Sequence, residues 1–356
     1  MSLQPVPPLP RPVHTLDFAP LAVLVASAFP GASLACEPMP GGASTRCYFR
    51  VKLPAGSGSA VAMFVPDGAN AEEVAKDGGA RGARWPFLEV RDLLAARGVD
   101  VPALHGEDVA RGWLLLEDLG EQTLANFLID NPARREEMYV RAVRDLARAQ
   151  AVLDGLPAGS VVASRAFDEE LLSWEMHHFR EWAIEARGIA LRPEDRDVFF
   201  GIAERLSRRI AAWPRAFVHR DYQSRNLMVR KDGRLCWIDF QDALLGPRVY
   251  DLVALLNDSY QVFEPSFVEA RLDDYASACS LDAAARTAIG REFDLVTVQR
   301  KLKDAGRFVF IDRVKGNASF LKFVEPTIAK VRASLARLQD DEDMRALGDL
   351  LARVLR

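Results

Sequence analysis

The sequence predicts an α+β protein of two lobes, a small β-rich N-terminal lobe followed by a larger helical C-terminal lobe. Three observations carry this. The chain has 356 residues, room for roughly two units of about 150 residues each. Before Gly120, β-rich runs are separated by Gly- and Ser-rich turns. After Gly120 the apolar residues recur at helical spacing, interrupted by short apolar strands around polar loops, FVHRDYQSRNLMVRKDGRLCWIDFQD. The organisation expected is a flexible Pro-rich arm over residues 1–14, an N-lobe over 15–119 and a C-lobe over 120–356.

Taken in order, Gln4–Pro12 (QPVPPLPRP) reads as an extended arm. Asp17–Phe29 suits a short helix capped by Asp17 and closed by Pro30 and Gly31. Cys47–Leu53 and Ala60–Val65 read as antiparallel strands of a meander of two or three, followed by a loose acidic segment, Asp67–Asp77. Pro86–Gly98 carries Leu88, Leu93 and Leu94 on an apolar helical stripe. Gly112–Gly120 reads as a buried strand running into a polar bend. Leu124–Ile129, Glu136–Leu153, Asp168–Ala186 and Glu194–Trp213 are the next helices expected. Tyr250–Arg356 is again helical, with the acidic run Asp340–Asp343 as a solvated turn. No internal repeat recurs at periods of 20–50 residues.

Composition removes several function classes. Lys and Arg number 46 and Asp and Glu 50, a net charge of −4, which is not the footprint of a dedicated nucleic-acid binder. The longest apolar run, Leu21–Phe29, is far shorter than the roughly 18 residues of a membrane span. The N-terminus lacks the pattern of a secretory signal. Cys36, Cys47, Cys236 and Cys279 form no C-x-x-C pair, which suits free thiols in a reducing cytoplasm. No nucleic-acid or membrane partner is expected, and a monomer is the default.

The chemistry lies in His219-Arg-Asp-Tyr-Gln-Ser-Arg-Asn226 and in Trp237-Ile-Asp-Phe-Gln-Asp242. The first matches H-R-D-x-x-x-x-N, the catalytic loop of protein kinases. The second places Asp239 where the magnesium-binding D-F-G stands, here written Asp239-Phe240-Gln241. Leu227–Val229, the turn Lys231–Gly233 and Leu235–Ile238 form a hairpin between them. Phosphoryl transfer needs a carboxylate to orient and deprotonate the acceptor hydroxyl, and hard oxygen ligands for Mg²⁺. Asp221 fits the first role, and Asn226 and Asp239 the second.

On these motifs the chain resembles the aminoglycoside phosphotransferase/choline kinase-like family of small-molecule kinases. The run IDFQDALLGPRVYDLVALL carries the resemblance, with Asp251 matching an Asp that braces the loop below the metal site. There is no A-P-E and no room for an activation loop, because Gly246-Pro247 follows almost at once. Gly41-Gly-Ala-Ser-Thr-Arg46, HRDYQSRNLM and DFQDALLGPxxYDLV look like the anomeric sugar kinases, which phosphorylate N-acetylmuramate and N-acetylglucosamine at the 1-hydroxyl in peptidoglycan recycling. The resemblance implies a bilobal protein-kinase-like fold, ATP and Mg²⁺, and a small sugar or amino-sugar acceptor. Related alternatives are an aminoglycoside or amino-alcohol phosphotransferase, and a nucleotide-binding pseudokinase.

On the nucleotide side, Gly41, Gly42, Ala43, Ser44 and Thr45 would cover the phosphates, and backbone near Glu117 and Leu119 would meet adenine. Kinases usually carry a Lys on the third strand; here Met63 stands near that position, so the cation would come from Arg46, Arg50 or Lys52, or catalysis would be weak. Glu89 is a candidate partner for it. For the acceptor, Gln223 and Arg225 lie inside the catalytic loop. His177 and His178 are adjacent on a helix and face different sides; with Arg180 they would suit an anion, although Glu169, Glu170, Glu175 and Glu181 share the stretch. Trp174, Phe179 and Trp182 fit either core packing or stacking on a sugar face. His219 is expected to hydrogen-bond backbone around the loop.

Overall fold

The computed structural model describes residues 16–40, 46–54, 58–66, 85–157 and 159–355. The expected arm, the Gly41–Thr45 loop and the segment Asp67–Asp77 lie outside the described residues. The described chain separates into two compact units: residues up to Phe127 with Leu227–Gln241, and Leu128–Asn226 with Asp242 onward.

In the first unit, α1 (Ala19–Ala28) starts just after Asp17, whose carboxylate accepts the Ala19 N–H at 2.9 Å. Strands β1 (Cys36–Pro38), β2 (Cys47–Lys52), β3 (Ser59–Phe64), β4 (Leu104–Asp108) and β5 (Trp113–Glu117) form one antiparallel sheet in the order β1-β2-β3-β5-β4. The expected meander is thus its first three strands. Strand alternation sends Phe49, Val51, Ala60 and Ala62 to one face, where with Trp113 and Leu115 they pack against Leu21 and Val25 of α1. Each large side chain buried there contributes about 2 kcal/mol. The same alternation puts Tyr48, Arg50, Lys52, Val61 and Met63 on the opposite face. At the β4–β5 turn Gly112 has φ +81°, and a Cβ there would meet the Val65 carbonyl at 2.6 Å, so only glycine fits. Helix α2 (Pro86–Ala96) is closed by Gly98, and its Phe87 stacks on Phe240.

The hairpin of β7 (Leu227–Val229) and β8 (Leu235–Trp237) belongs to this unit for identifiable reasons. Val229 N–H donates to the Gln122 carbonyl at 2.7 Å and Trp237 N–H to that of Asp100 at 2.8 Å. Arg230 forks onto Asp100 and Glu117. Those anchors lie over a hundred residues upstream, so the linear pattern, which groups the hairpin with the helices around it, does not show them.

The second unit is helical. Helix α3 (Leu124–Asp130) carries the chain across the boundary. It is followed by α4 (Arg135–Val152), α5 (Glu169–Phe179) and α6 (Pro193–Ala211). The helix expected over Asp168–Ala186 is α-helical only to Phe179. Arg180–Ile184 then forms one wider turn and Glu185–Arg187 a tight one. Strand β6 (Arg215–Val218) pairs antiparallel with β9 (Leu244–Pro247). The remainder is α7 (Tyr250–Leu256), α8 (Pro265–Ala278), the 33-residue α9 (Ala283–Lys315), α10 (Val324–Arg337) and α11 (Glu342–Val354). Helices α5 and α9 meet at Gly306, where a Cβ would lie 2.8 Å from both the His178 carbonyl and the Phe179 Cα. The acidic run Asp340–Asp343 forms the surface turn expected before α11, and its aspartates are ion-paired there: Asp340 with Arg291, Asp341 with Arg209 and Asp343 with Arg205. The four cysteines are free, and no helix among the described residues is long and apolar enough to cross a membrane.

Candidate active site

The His219–Asn226 loop leaves the end of β6 in the second unit. Its entry is strained, since Arg220 has φ 78°, a left-handed conformation uncommon for a side chain of this size. Asp251, wholly buried at the start of α7, holds it there: its carboxylate accepts the His219 N–H at 2.6 Å and the Arg220 N–H at 3.0 Å. Downstream, Tyr222 donates its hydroxyl to the Ala142 carbonyl, and Ser224 donates to Asp258 at 3.0 Å. Asn226 donates its side-chain amide to the Asp221 carbonyl at 2.8 Å. Gln223 shapes the same turn through its backbone, and exposed Arg225 lies 3.8 Å over the Tyr260 ring.

Asp221 is 42% exposed and touches one buried cation, Arg300, at 3.3 Å. Arg300 also donates to the Arg220 carbonyl at 2.8 Å and lies over the Tyr250 ring. Burial alone would push the Asp221 carboxyl up; the charges of Arg300, Lys303 and Arg220, with His219, outweigh it and hold the carboxyl below its ordinary value. Behind them, buried Glu175 faces Arg220 at 3.6 Å and accepts from Gln299. Asp221 is therefore an anion at neutral pH in a predominantly cationic setting.

In the first unit, Asp239 sits at the end of the hairpin with φ 64°, and Gln241 donates to its carboxylate at 3.0 Å. A carboxylate such as that of Asp239 is a hard oxygen donor of the kind Mg²⁺ prefers. Met63 is buried on β3, paired with Leu114 of β5. Of the cations considered in its place, Arg50 is committed to Asp118 at 2.8 Å and Glu121 at 2.9 Å, Lys52 pairs with Glu37 at 3.3 Å, and Arg46 is buried just ahead of β2. At the end of β5 the Glu117 N–H already donates to Ala103 O and its carboxylate holds Arg230, while Leu119 is half-buried. Glu89 is half-buried on α2.

The two histidines of α5 diverge, as adjacency requires. His177 packs on Phe200, whereas His178 lies among Trp174, Trp182 and Phe310. Arg180 goes to Glu185 at 2.7 Å and over Phe200, so it does not join His178. Phe179 is core, and Trp174 is 57% exposed. Sequence reading missed Arg300, Lys303 and Asp258. They stand in or near helices, in no fixed spacing to the motif, and charged residues in a helical segment ordinarily read as solvated.

This arrangement is that of a phosphotransferase acting on a small molecule. The model of the phosphotransferase enzyme family matches residues 35–288, and the chain belongs to that family. Among curated relatives, an N-acetylmuramate/N-acetylglucosamine kinase of Pseudomonas putida is 32% identical over 274 residues, 76% of this chain and 77% of its own. A protein of the same description from Neisseria meningitidis is 32% identical over 273 residues, 75% of each chain. The solved choline kinase LicA of Streptococcus pneumoniae shares the fold, with a TM-score of 0.57 and 15% identity over 88% of this chain and 98% of that one. The fold is the two-lobed, kinase-like one expected.

Proposed function

We propose that this protein is an ATP- and Mg²⁺-dependent kinase of amino sugars that phosphorylates the anomeric hydroxyl of N-acetylmuramate or N-acetylglucosamine, a reaction of peptidoglycan recycling. The observation that carries the reading is Asp221, a partly exposed carboxylate kept ionised by a buried Arg300. Similarity to curated kinases of these sugars supports the acceptor. Asp221 accepts a hydrogen bond from the acceptor hydroxyl, aims its oxygen and takes its proton. Its lowered pKa makes it a weak base. That is enough for a loose transfer with little proton movement before the transition state, and for a hemiacetal hydroxyl, which is more acidic than an ordinary alcohol. Asn226 and Asp239 would hold the metal, which when bound neutralises charge on the phosphate oxygens. The Gly41–Thr45 loop and Arg46 would cover the phosphates, and backbone near Glu117 and Leu119 would meet the base. Arg300 and Lys303 beside Asp221 partly neutralise the carboxylate that a cationic acceptor would use. The setting proposed is a cytoplasmic monomer without nucleic-acid or membrane partners.

The test is ADP release from Mg-ATP with N-acetylmuramate, N-acetylglucosamine, galactose, kanamycin, choline or no acceptor. Turnover is expected on the N-acetylated sugars, with a product labile to mild acid, as sugar 1-phosphates are. Asp221→Asn should lower kcat by roughly 10²–10⁴ while nucleotide binding persists. Turnover on kanamycin or choline alone would overturn the acceptor, and nucleotide binding without turnover on any acceptor would overturn catalysis.

A further inference from the structure

Helix α9 passes Asp221 at its middle, at Arg300, with cations in one stripe from there toward its C-terminal half. Arg300, Lys303 and Arg307 are spaced three and four residues apart, so they share one face. Arg300 touches Asp221, and Arg307 lies two turns, about 10 Å, further along the axis. That is a distance a substituted hexose can span. Lys303 does not have a carboxylate to itself: Asp304 is shared between Lys301 at 2.9 Å and Lys303 at 3.0 Å. The trio thus carries one positive charge in excess.

Opposite the outer part of this stripe is α5, brought close because residue 306 is glycine. There the His178 ring stacks on Trp174 and neighbours Trp182 and Phe310, while the Arg307 guanidinium covers the Phe310 ring at 4.8 Å. His178 is 7% exposed, and its Nε2 has no hydrogen-bond partner among the described residues. A buried polar nitrogen without a partner is costly in a finished structure, and a ligand hydroxyl reaching it would recover that cost. The neighbouring charges of Arg307 and Lys303 reinforce burial in keeping this imidazole neutral. Aromatic rings beside a neutral hydrogen-bonding group suit a sugar's C–H face and a hydroxyl; cations beside them suit an anion.

We propose that Lys303 and Arg307, with His178 and its aromatic neighbours, form the acceptor subsite that reads a carboxylate carried by the sugar, and so set the preference between acidic and neutral amino sugars. This rests on the reading of the protein as an amino-sugar kinase, but it concerns different residues and a different property. N-acetylmuramate and N-acetylglucosamine differ by one carboxylate-bearing ether, which makes them the natural pair of probes.

The measurement is calorimetric binding of each sugar, backed by KM for each, in the wild-type protein, Arg307→Gln and Lys303→Gln. Arg307 is exposed, so its variant should fold. The expected result is a loss of N-acetylmuramate affinity of roughly 10–100-fold in either variant, the magnitude of one charge-assisted hydrogen bond. N-acetylglucosamine affinity should move less than about threefold, and Trp182→Ala should weaken both sugars together. Equal losses for both sugars in the Arg307 and Lys303 variants, or no change for either, would overturn the subsite. Because binding is read without turnover, the anion preference and its loss in Arg307→Gln remain measurable even if neither sugar is phosphorylated, an outcome that would instead overturn the proposed reaction. Failure of the wild-type protein to bind N-acetylmuramate more tightly than N-acetylglucosamine would overturn the subsite directly.

Discussion

Asp251→Asn probes the support of the catalytic loop. The native carboxylate accepts two backbone N–H groups at 2.6 and 3.0 Å, one of them on Arg220, whose φ of 78° stores strain of about 1–3 kcal/mol. Asparagine keeps the shape but has one acceptor oxygen, so one buried N–H would face an amide donor, at about 1–3 kcal/mol. The size of the effect depends on pH. Burial pushes the Asp251 carboxyl up to about 7, although the two N–H donors and Arg300 pull it down. The folded-state value then lies above the unfolded one, about 3.9. Stability from this group is therefore full below about pH 4 and is lost as pH rises to about 7, a total of about 4 kcal/mol at about 1.4 kcal/mol per unit. Asparagine does not titrate. Relative to the native protein, the variant should be more destabilised at pH 5 than at pH 8, by about 2–3 kcal/mol. Urea denaturation of both proteins at the two pH values measures this, because groups common to both cancel in the difference. A cost that stays constant or grows with pH would mean that the carboxylate is ionised throughout and that its donors outweigh burial, which refutes the reasoning.

Two further outcomes follow from the same geometry. Arg300→Gln removes the charge opposing the burial of Asp221, so the Asp221 pKa rises and the acid limb of the kcat–pH profile moves to higher pH. Allowing for solvent screening at a partly exposed carboxylate, the shift should be about one unit; an unmoved limb would mean that Asp221 is set by other groups. Gly306→Ala gains about 1 kcal/mol of helix propensity but puts a methyl 2.8 Å from backbone of α5, an overpacking worth about 1–3 kcal/mol; the net cost is about 0–2 kcal/mol, so thermal unfolding should show Tm lowered by up to about 4 °C, and a raised Tm would show that the helices part freely.

The fold was legible in its elements. The β-rich runs became β2 and β3, the apolar stripe after Pro86 became α2, and Asp17 sits at the start of α1, because strand alternation, helical spacing and caps are local properties. The motif residues were legible for a related reason: phosphoryl transfer demands particular side chains at particular separations along one loop and one hairpin, and chain continuity carries both. Arg50 illustrates the limit. It stands on β2, next to the strand where a phosphate-binding cation would be sought, yet two carboxylates some seventy residues away take it up. His177 and His178 are indistinguishable as letters; only the packing of α5 gives one to Phe200 and the other to the aromatic cluster facing α9.

The sequence by itself determined the main strand-rich and helical runs, the phosphotransferase family, and the motif that nominates Asp221, Asn226 and Asp239, since each depends on spacing within a short stretch. Tertiary structure alone decided that Arg300 meets Asp221 across 79 residues of chain, that Asp251 carries the strained turn, and that the hairpin belongs to the N-terminal unit. The physical reason is that a charge's partner is set by which distant elements pack against it, and burial turns a nominally solvated arginine into the group that governs a carboxylate's proton.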